Sequence, residues 1–266
     1  MSSAPHPTAW RPPPLFGTRA RQNVAILAAL AYCIWAVADL KIDANRALAG
    51  FGRAWDLLAR MFPPDFARHQ LLLKGMVESL QMAFAATLAG LVLSIPLGIA
   101  AASNLAPRPI YLVARGIIVV GRTFHEVIIA IFFVKLFGFG PVAGLLTLAF
   151  ASMIFLGKMI AEDIENVRPG PIEAVRATGA GFGQVIVYAV VPQVLSRVTG
   201  VAIYRLDANV RHSTVIGIVG AGGIGQTLSA SFSRYDYDFA AAILLSIIAL
   251  VAIGEWFSDW VRRRMR

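Results

Sequence analysis

Charge is what this chain of 266 residues has least of. Asp, Glu, Lys and Arg together make up 15% of it, against about 25% in an ordinary soluble domain. That deficit excludes a disordered chain and argues against a water-soluble enzyme. Cysteine is nearly absent: Cys33 stands alone inside an apolar stretch, so neither an intramolecular disulfide nor a cysteine metal cluster can form. Four histidines occur, and none lies in an H-E-x-x-H or comparable ligand spacing, so no metal site is expected. A cleavable signal peptide is not expected either. Residues 1–22 are rich in Pro and Arg, and the apolar run over 24–40 has no convincing small-residue cleavage site.

What the chain has instead is apolar length. Hydrophobic residues make up 58% and mean hydropathy is +0.68. Residues 79–102, 136–157 and 239–254 carry no charge at all, and about 20 apolar residues cross the hydrocarbon core. The fold class is therefore an all-α membrane protein with six spans, placed at 23–40, 75–102, 111–137, 141–161, 183–206 and 239–260. Pro96 reads as a kink within the second span, because kinks are tolerated there. Between the first two spans, residues 47–62 place Leu48, Phe51, Trp55, Leu58 and Phe62 at helical spacing. This pattern suits an amphipathic helix on the membrane surface.

Net charge is +9 with a pI near 10.3. Basic residues at helix ends orient membrane proteins, and no nucleic-acid motif accompanies them, so no nucleic-acid partner is expected. The basic tails, 1–22 and 261–266, place both termini in the cytoplasm, which requires an even number of spans. Residues 75–260 form the transmembrane domain, with residues 23–74 contributing the first span and an external loop.

Residues 162–183 are the one long polar stretch after the first hundred residues. Pro171 at a helix start, Glu173 in the first turn, Gly179 past the end and a second break at Gly181–Gly183 describe a short capped helix. Lying along the membrane between two spans, such a helix is suited to docking on a soluble partner. Here the chain resembles the membrane subunits of bacterial ABC importers. Their cytoplasmic loop reads E-A-A, three residues, G, nine residues, I, one residue, L-P. Glu173, Ala174, Gly179 and Pro192 fall at that spacing, with Val175, Ala189 and Val191 as apolar replacements. The resemblance implies a coupling helix, involving also Arg176, that fits a cleft in an ATP-hydrolysing subunit.

Further segments resemble one branch of that family, the phosphonate-type permeases: residues 62–65, 121–126, 138–141, 209–215 and 217–225. His125 and His212 depart from the pattern, standing where an apolar and a small residue are expected. The resemblance implies a homodimeric permease in the bacterial inner membrane, two copies of a cytoplasmic ATPase carrying the ATP and Mg, and an external phosphonate-binding protein. Cargo would be a phosphonate or a related oxyanion such as phosphite or a phosphate ester. A permease for another small solute such as methionine is the neighbouring reading. An intramembrane enzyme using His125, Glu126 and His212 as an acid–base set is the distant one.

Two features leave alternatives open. Gly220, Gly222, Gly223 and Gly225 match G-x-G-x-x-G, but no soluble βαβ unit surrounds them, and Gln226 stands where a P-loop needs lysine. They read either as gate glycines at membrane depth or as a loose external loop, within an irregular stretch over 207–238. Arg122, His125, Glu126, Arg205, Arg211 and His212 are costly in a span. They read either as a lining for an oxyanion path or as internal pairs that lock helices together.

Overall fold

A computed structural model describes residues 19–40 and 44–264. The chain divides into two units, residues 1–59 and 60–266. The first holds α1 (Arg19–Asp39) and most of α2 (Ala44–Arg60). In α2 the apolar Leu48, Phe51, Trp55 and Leu58 share one face, and Arg46, Arg53 and Arg60 recur every seventh residue on the opposite face. The expected amphipathic helix therefore forms, beginning and ending slightly earlier than expected. The 1–22 tail lies mostly outside the described residues, as does the end of the 261–266 tail.

The second unit is built from α3 (His69–Ala100), α4 (Arg108–Thr123), α5 (Glu126–Phe137), α6 (Pro141–Glu165), α7 (Pro169–Ala177), α8 (Phe182–Val185), a π-turn (Ile186–Val190), α9 (Val191–Ile218), α10 (Gly223–Ser233) and α11 (Tyr237–Arg264). Its centre is the pair α3–α6. Small residues recur along the buried face of α3, at Gly75, Ser79, Ala83, Ala86, Gly90, Ser94 and Gly98. Lipid gives apolar helices no reason to associate, so close backbone approach along such a stripe supplies the packing. A Cβ on Gly98 would come within 2.6 Å of Ile160, and one on Gly157 within 3.0 Å of Leu97.

Among the described residues, five helical segments are long and apolar enough to cross a membrane, and a bent pair makes a sixth if counted as one span. The number expected from the sequence thus stands, but two spans differ in form. The third is not one helix. It breaks between α4 and α5 with a bend of 93°, because Phe124 and His125 adopt extended backbone. His125 Nδ1 then accepts the Val127 N–H at 3.3 Å, capping α5. The fifth span is longer than expected and the 207–238 stretch is largely helical: α9 runs on to Ile218, and α10 follows a four-residue turn. Polar side chains there pair laterally with residues of other helices, and the helical backbone stays intact.

At the α3 N-terminus, Arg68 pairs with Asp65 and with Asp236 in the α10–α11 connection. Its guanidinium also lies 3.9 Å from the centroid of the Phe239 ring, and the Asp65 N–H donates to Asp238 O at 3.1 Å. The hydrogen bond from Arg68 holds the Asp236 carboxyl below its ordinary value. A depressed carboxylate contributes stability above its unfolded pKa and loses it as pH falls through the folded one. Arg68→Ala should therefore cost no more than about 1 kcal/mol at neutral pH, since the pair is partly exposed. The gap to wild type in thermal melts should shrink below about pH 4. A gap independent of pH would assign the clasp to the Phe239 contact alone.

Candidate translocation site and docking loop

Midway along α9 the polar residues of the bundle converge. Arg205 is only 5% exposed. Its Nε donates to Ser152 Oγ of α6 at 2.9 Å, and its guanidinium sits 5.4 Å from the Phe155 ring. Its Nη2 donates to Glu126 Oε1 at 2.8 Å. The other carboxylate oxygen of Glu126 contacts His212 Nδ1. Arg205 and His212 lie seven residues, or two turns, apart, so they share a face of α9. Below them Asn209, fully buried, donates from Nδ2 to Thr87 Oγ1 of α3 at 2.8 Å and to Ser152 Oγ at 2.9 Å. On another face Arg211 bridges Asp207 and Glu255 of α11, both at 2.8 Å.

Of the six residues assigned to an oxyanion path from the sequence, the structure brings Arg205, Glu126 and His212 together. Arg211 belongs to the separate bridge to α11. Arg122 is exposed in the last turn of α4 and His125 is exposed at the elbow, so neither joins the cluster. Arg205 and Arg211 are both paired, so internal pairing holds in this conformation.

The glycine turn is buried from Gly220 to Gly225 and is not a loose loop. Gly220, Gly222 and Gly223 have φ of +94°, +85° and +72°, a region that side-chain-bearing residues rarely adopt. Gly140 N–H donates to Gly220 O at 3.0 Å. Two side chains of α3 cap the start of α10: Glu78 Oε1 accepts from Gly223 N–H at 2.8 Å, and Ser79 Oγ from Ile224 N–H at 3.0 Å. These otherwise orphaned donors would be costly inside a bilayer. Beside this cap a cavity of about 610 Å³ is lined by Lys74, Glu78, Gln81, Pro141 and Leu145 among others. The close approaches made by these glycines lie within this chain, against Phe139, Pro141, Glu78 and Thr214.

At the opposite end of α9, helix α7 presents two faces. Ile172 is buried in a cluster with Ile160, Ile164, Val185, Ala189 and Val194, while Glu173, Ala174 and Arg176 are exposed. Gly179, at φ +80°, ends the helix with its N–H on Arg176 O at 3.0 Å. Gln193 straps the helix to α9, its Oε1 accepting Arg168 N–H at 3.0 Å. Pro192 follows the π-turn, in which Val191 N–H reaches back to Ile186 O. A proline ring clashes with the carbonyl four residues earlier in a regular helix, and the wider turn relieves that clash. The short helix is thus held through Ile172 and exposed on its other face.

The model for the binding-protein-dependent transport system inner membrane component family matches residues 94–266. The chain belongs to this family. It is 40% identical over 226 residues to the phosphite transport system permease protein PtxC of Stutzerimonas stutzeri, covering 85% of this chain and 82% of that one. It is 39% identical over 235 residues to the phosphate-import permease protein PhnE of Mycolicibacterium smegmatis, covering 88% of this chain but 44% of that relative. Among solved structures, an inward-facing methionine ABC transporter, MetNI, superimposes with a TM-score of 0.65 at 24% identity, covering 76% of this chain and 99% of that chain.

The permease thus has α7, the elbow and the glycine turn all inside the family match. Sequence reading missed Thr87, Ser152, Asn209, Glu78, Ser79, Gln193 and Glu255. Hydroxyl and amide residues in a span are cheap enough to pass as filler, and nothing local marks which of them meet. Glu78 did carry a signal, since an acid within an otherwise apolar run defaults to a functional role.

Proposed function

We propose that this permease moves a phosphonate, phosphite or related phosphorus oxyanion inward as a homodimer. Two copies of a cytoplasmic ATPase bind the ATP and Mg, and an external binding protein delivers the cargo. The chain itself binds no nucleotide and catalyses no bond chemistry. Both termini face the cytoplasm, which puts α7 on the ATPase side. Closure of the ATPase pair on ATP pushes on α7, and its packing with α9 passes the movement to the elbow and the glycine turn.

The observation that carries this reading is the α7 geometry: an exposed face holding Glu173, Ala174 and Arg176, anchored by Ile172 and ended at Gly179. The cargo class is supported by the relatives named for phosphite transport and phosphate import. The test is uptake by proteoliposomes holding the permease with its co-purifying ATPase and its binding protein. ATP-dependent accumulation of phosphite or methylphosphonate, without accumulation of methionine, is expected. Methionine uptake in their place would overturn the cargo, and a permease that purifies with no ATPase would overturn the coupling.

A further inference from the structure

We infer that Arg205 and His212 form the holding site for the oxyanion at membrane depth, and that Glu126 is its internal stand-in. The carboxylate occupies the site between cargoes and leaves with the α4–α5 elbow when cargo arrives. This rests on the phosphorus-oxyanion reading above.

The first support is chemical. The two oxygens of Glu126 are divided between two neighbours: Oε1 accepts from Arg205 Nη2, and Oε2 contacts His212 Nδ1. One anion spanning a guanidinium and an imidazole is the arrangement a phosphonate or phosphite, with its several equivalent oxygens, would reproduce. Such an anion carries roughly −1 to −2 near neutral pH. With Glu126 in place, neither Arg205 nor Arg211 is free to meet it. Arg205 is matched by Glu126, and Arg211 is already shared by Asp207 and Glu255. Adding cargo beside Glu126 would set like charges together at membrane depth, whereas exchanging it for Glu126 would not.

The second support is mechanical. Arg205 is anchored independently of Glu126, through Ser152 and Phe155 on α6, so the receptor half of the site survives loss of the carboxylate. Glu126 is the first residue of α5, directly after the extended Phe124-His125 link. Rotation there breaks no interior helical hydrogen bond. The exposure runs the same way: the Arg205 side chain is 6% exposed, Glu126 20% and His212 39%. The arginine is the most enclosed of the three, and the exchangeable carboxylate and the histidine are the more exposed side chains. A buried guanidinium left without any anion is strongly unfavourable, so the swap also ties release of cargo to return of the elbow.

The test uses the assembled permease–ATPase complex in nanodiscs without the binding protein, titrated with inorganic phosphite and with methylphosphonate. Wild type should bind weakly, because a conduit must release what it holds. Glu126→Gln should bind both anions at least tenfold more tightly while lowering transport turnover, and adding Arg205→Gln should cancel the gain. Unchanged or weaker binding by a folded Glu126→Gln complex, or a gain that persists without Arg205, overturns the inference. If Glu126→Gln does not assemble, elbow motion is read in a Cys33→Ser, Phe124→Cys complex. Phosphite should alter the rate of thiol labelling at position 124, and an unaltered rate is the contrary result. Import of phosphite by wild type alongside a negative binding result sinks this inference alone. Failure of wild type to import any phosphorus oxyanion sinks the reading beneath it.

Discussion

Glu173→Lys is expected to abolish ATP-driven uptake while leaving the permease folded and in the membrane. The side chain projects from the exposed face of α7, next to Ile172 on the buried face, and it makes no ion pair among the described residues. Reversing its charge therefore costs the isolated permease almost nothing. On the proposed reading the same position enters a groove on the ATPase. Breaking a desolvated charge contact at an interface costs about 2–5 kcal/mol, and the lower figure is already about thirtyfold in affinity. Three measurements decide it: ATPase retained on co-purification, uptake in proteoliposomes, and melting temperature of the permease alone. The first two should collapse and the third should stay within a degree or so of wild type. Uptake at the wild-type level would remove α7 from the coupling route. A fall in melting temperature would mean that the residue supports the fold.

That helix was legible because its signals are local. Proline near a helix start and glycine beyond its end act within a few residues of one another, whatever surrounds them; the helix begins at Pro169, two residues before the expected start, which leaves Glu173 beyond the first turn. The centres of α3 and α6 were legible for a similar reason, since uninterrupted apolar length is enough to mark a span. What could not be read locally were the consequences of pairing at a distance. Arg205, Asp207, Arg211 and His212 looked like the ragged external end of a span. They lie within a continuous α9, because Ser152, Glu126 and Glu255 come from other helices to meet them. The elbow was hidden in the same way. The run from 127 to 134 is apolar enough for a helix, and only the cap made by His125 shows where that helix begins. The segments that carried the family resemblance prove to be spatial partners. Residues 121–126 meet 209–215 through Glu126 and His212, and residues 138–141 meet 217–225 through Gly140 and Gly220.

The packing of α10 back onto α9 makes Gly225→Val the substitution with the largest expected structural effect. The chain turns sharply after α9 and lays the first turn of α10 back on it, so that a Cβ at Gly225 would overlap Thr214 O and lie 3.0 Å from Gly217 Cα. An unbroken helix would hold residues 214 and 225 about 16 Å apart. Nothing flexible stands in the way of the added side chain, only backbone that is itself in helical hydrogen bonding. Overpacking a well-filled site costs about 1–3 kcal/mol, and a branched side chain driven into backbone belongs at the upper end. Gly116→Ala is the matched control: no neighbour lies within 4 Å of its added Cβ, and alanine in place of glycine favours a helix by up to about 1 kcal/mol. Thermal denaturation of the purified complex should therefore show Gly225→Val melting several degrees below wild type and Gly116→Ala at or above it. Equal melting of all three would mean that α10 does not rest on α9 in the membrane. The glycine turn would then be free to move without disturbing the elbow, because Gly225 and Glu126 both act through α9, one on its last turns and the other on its middle.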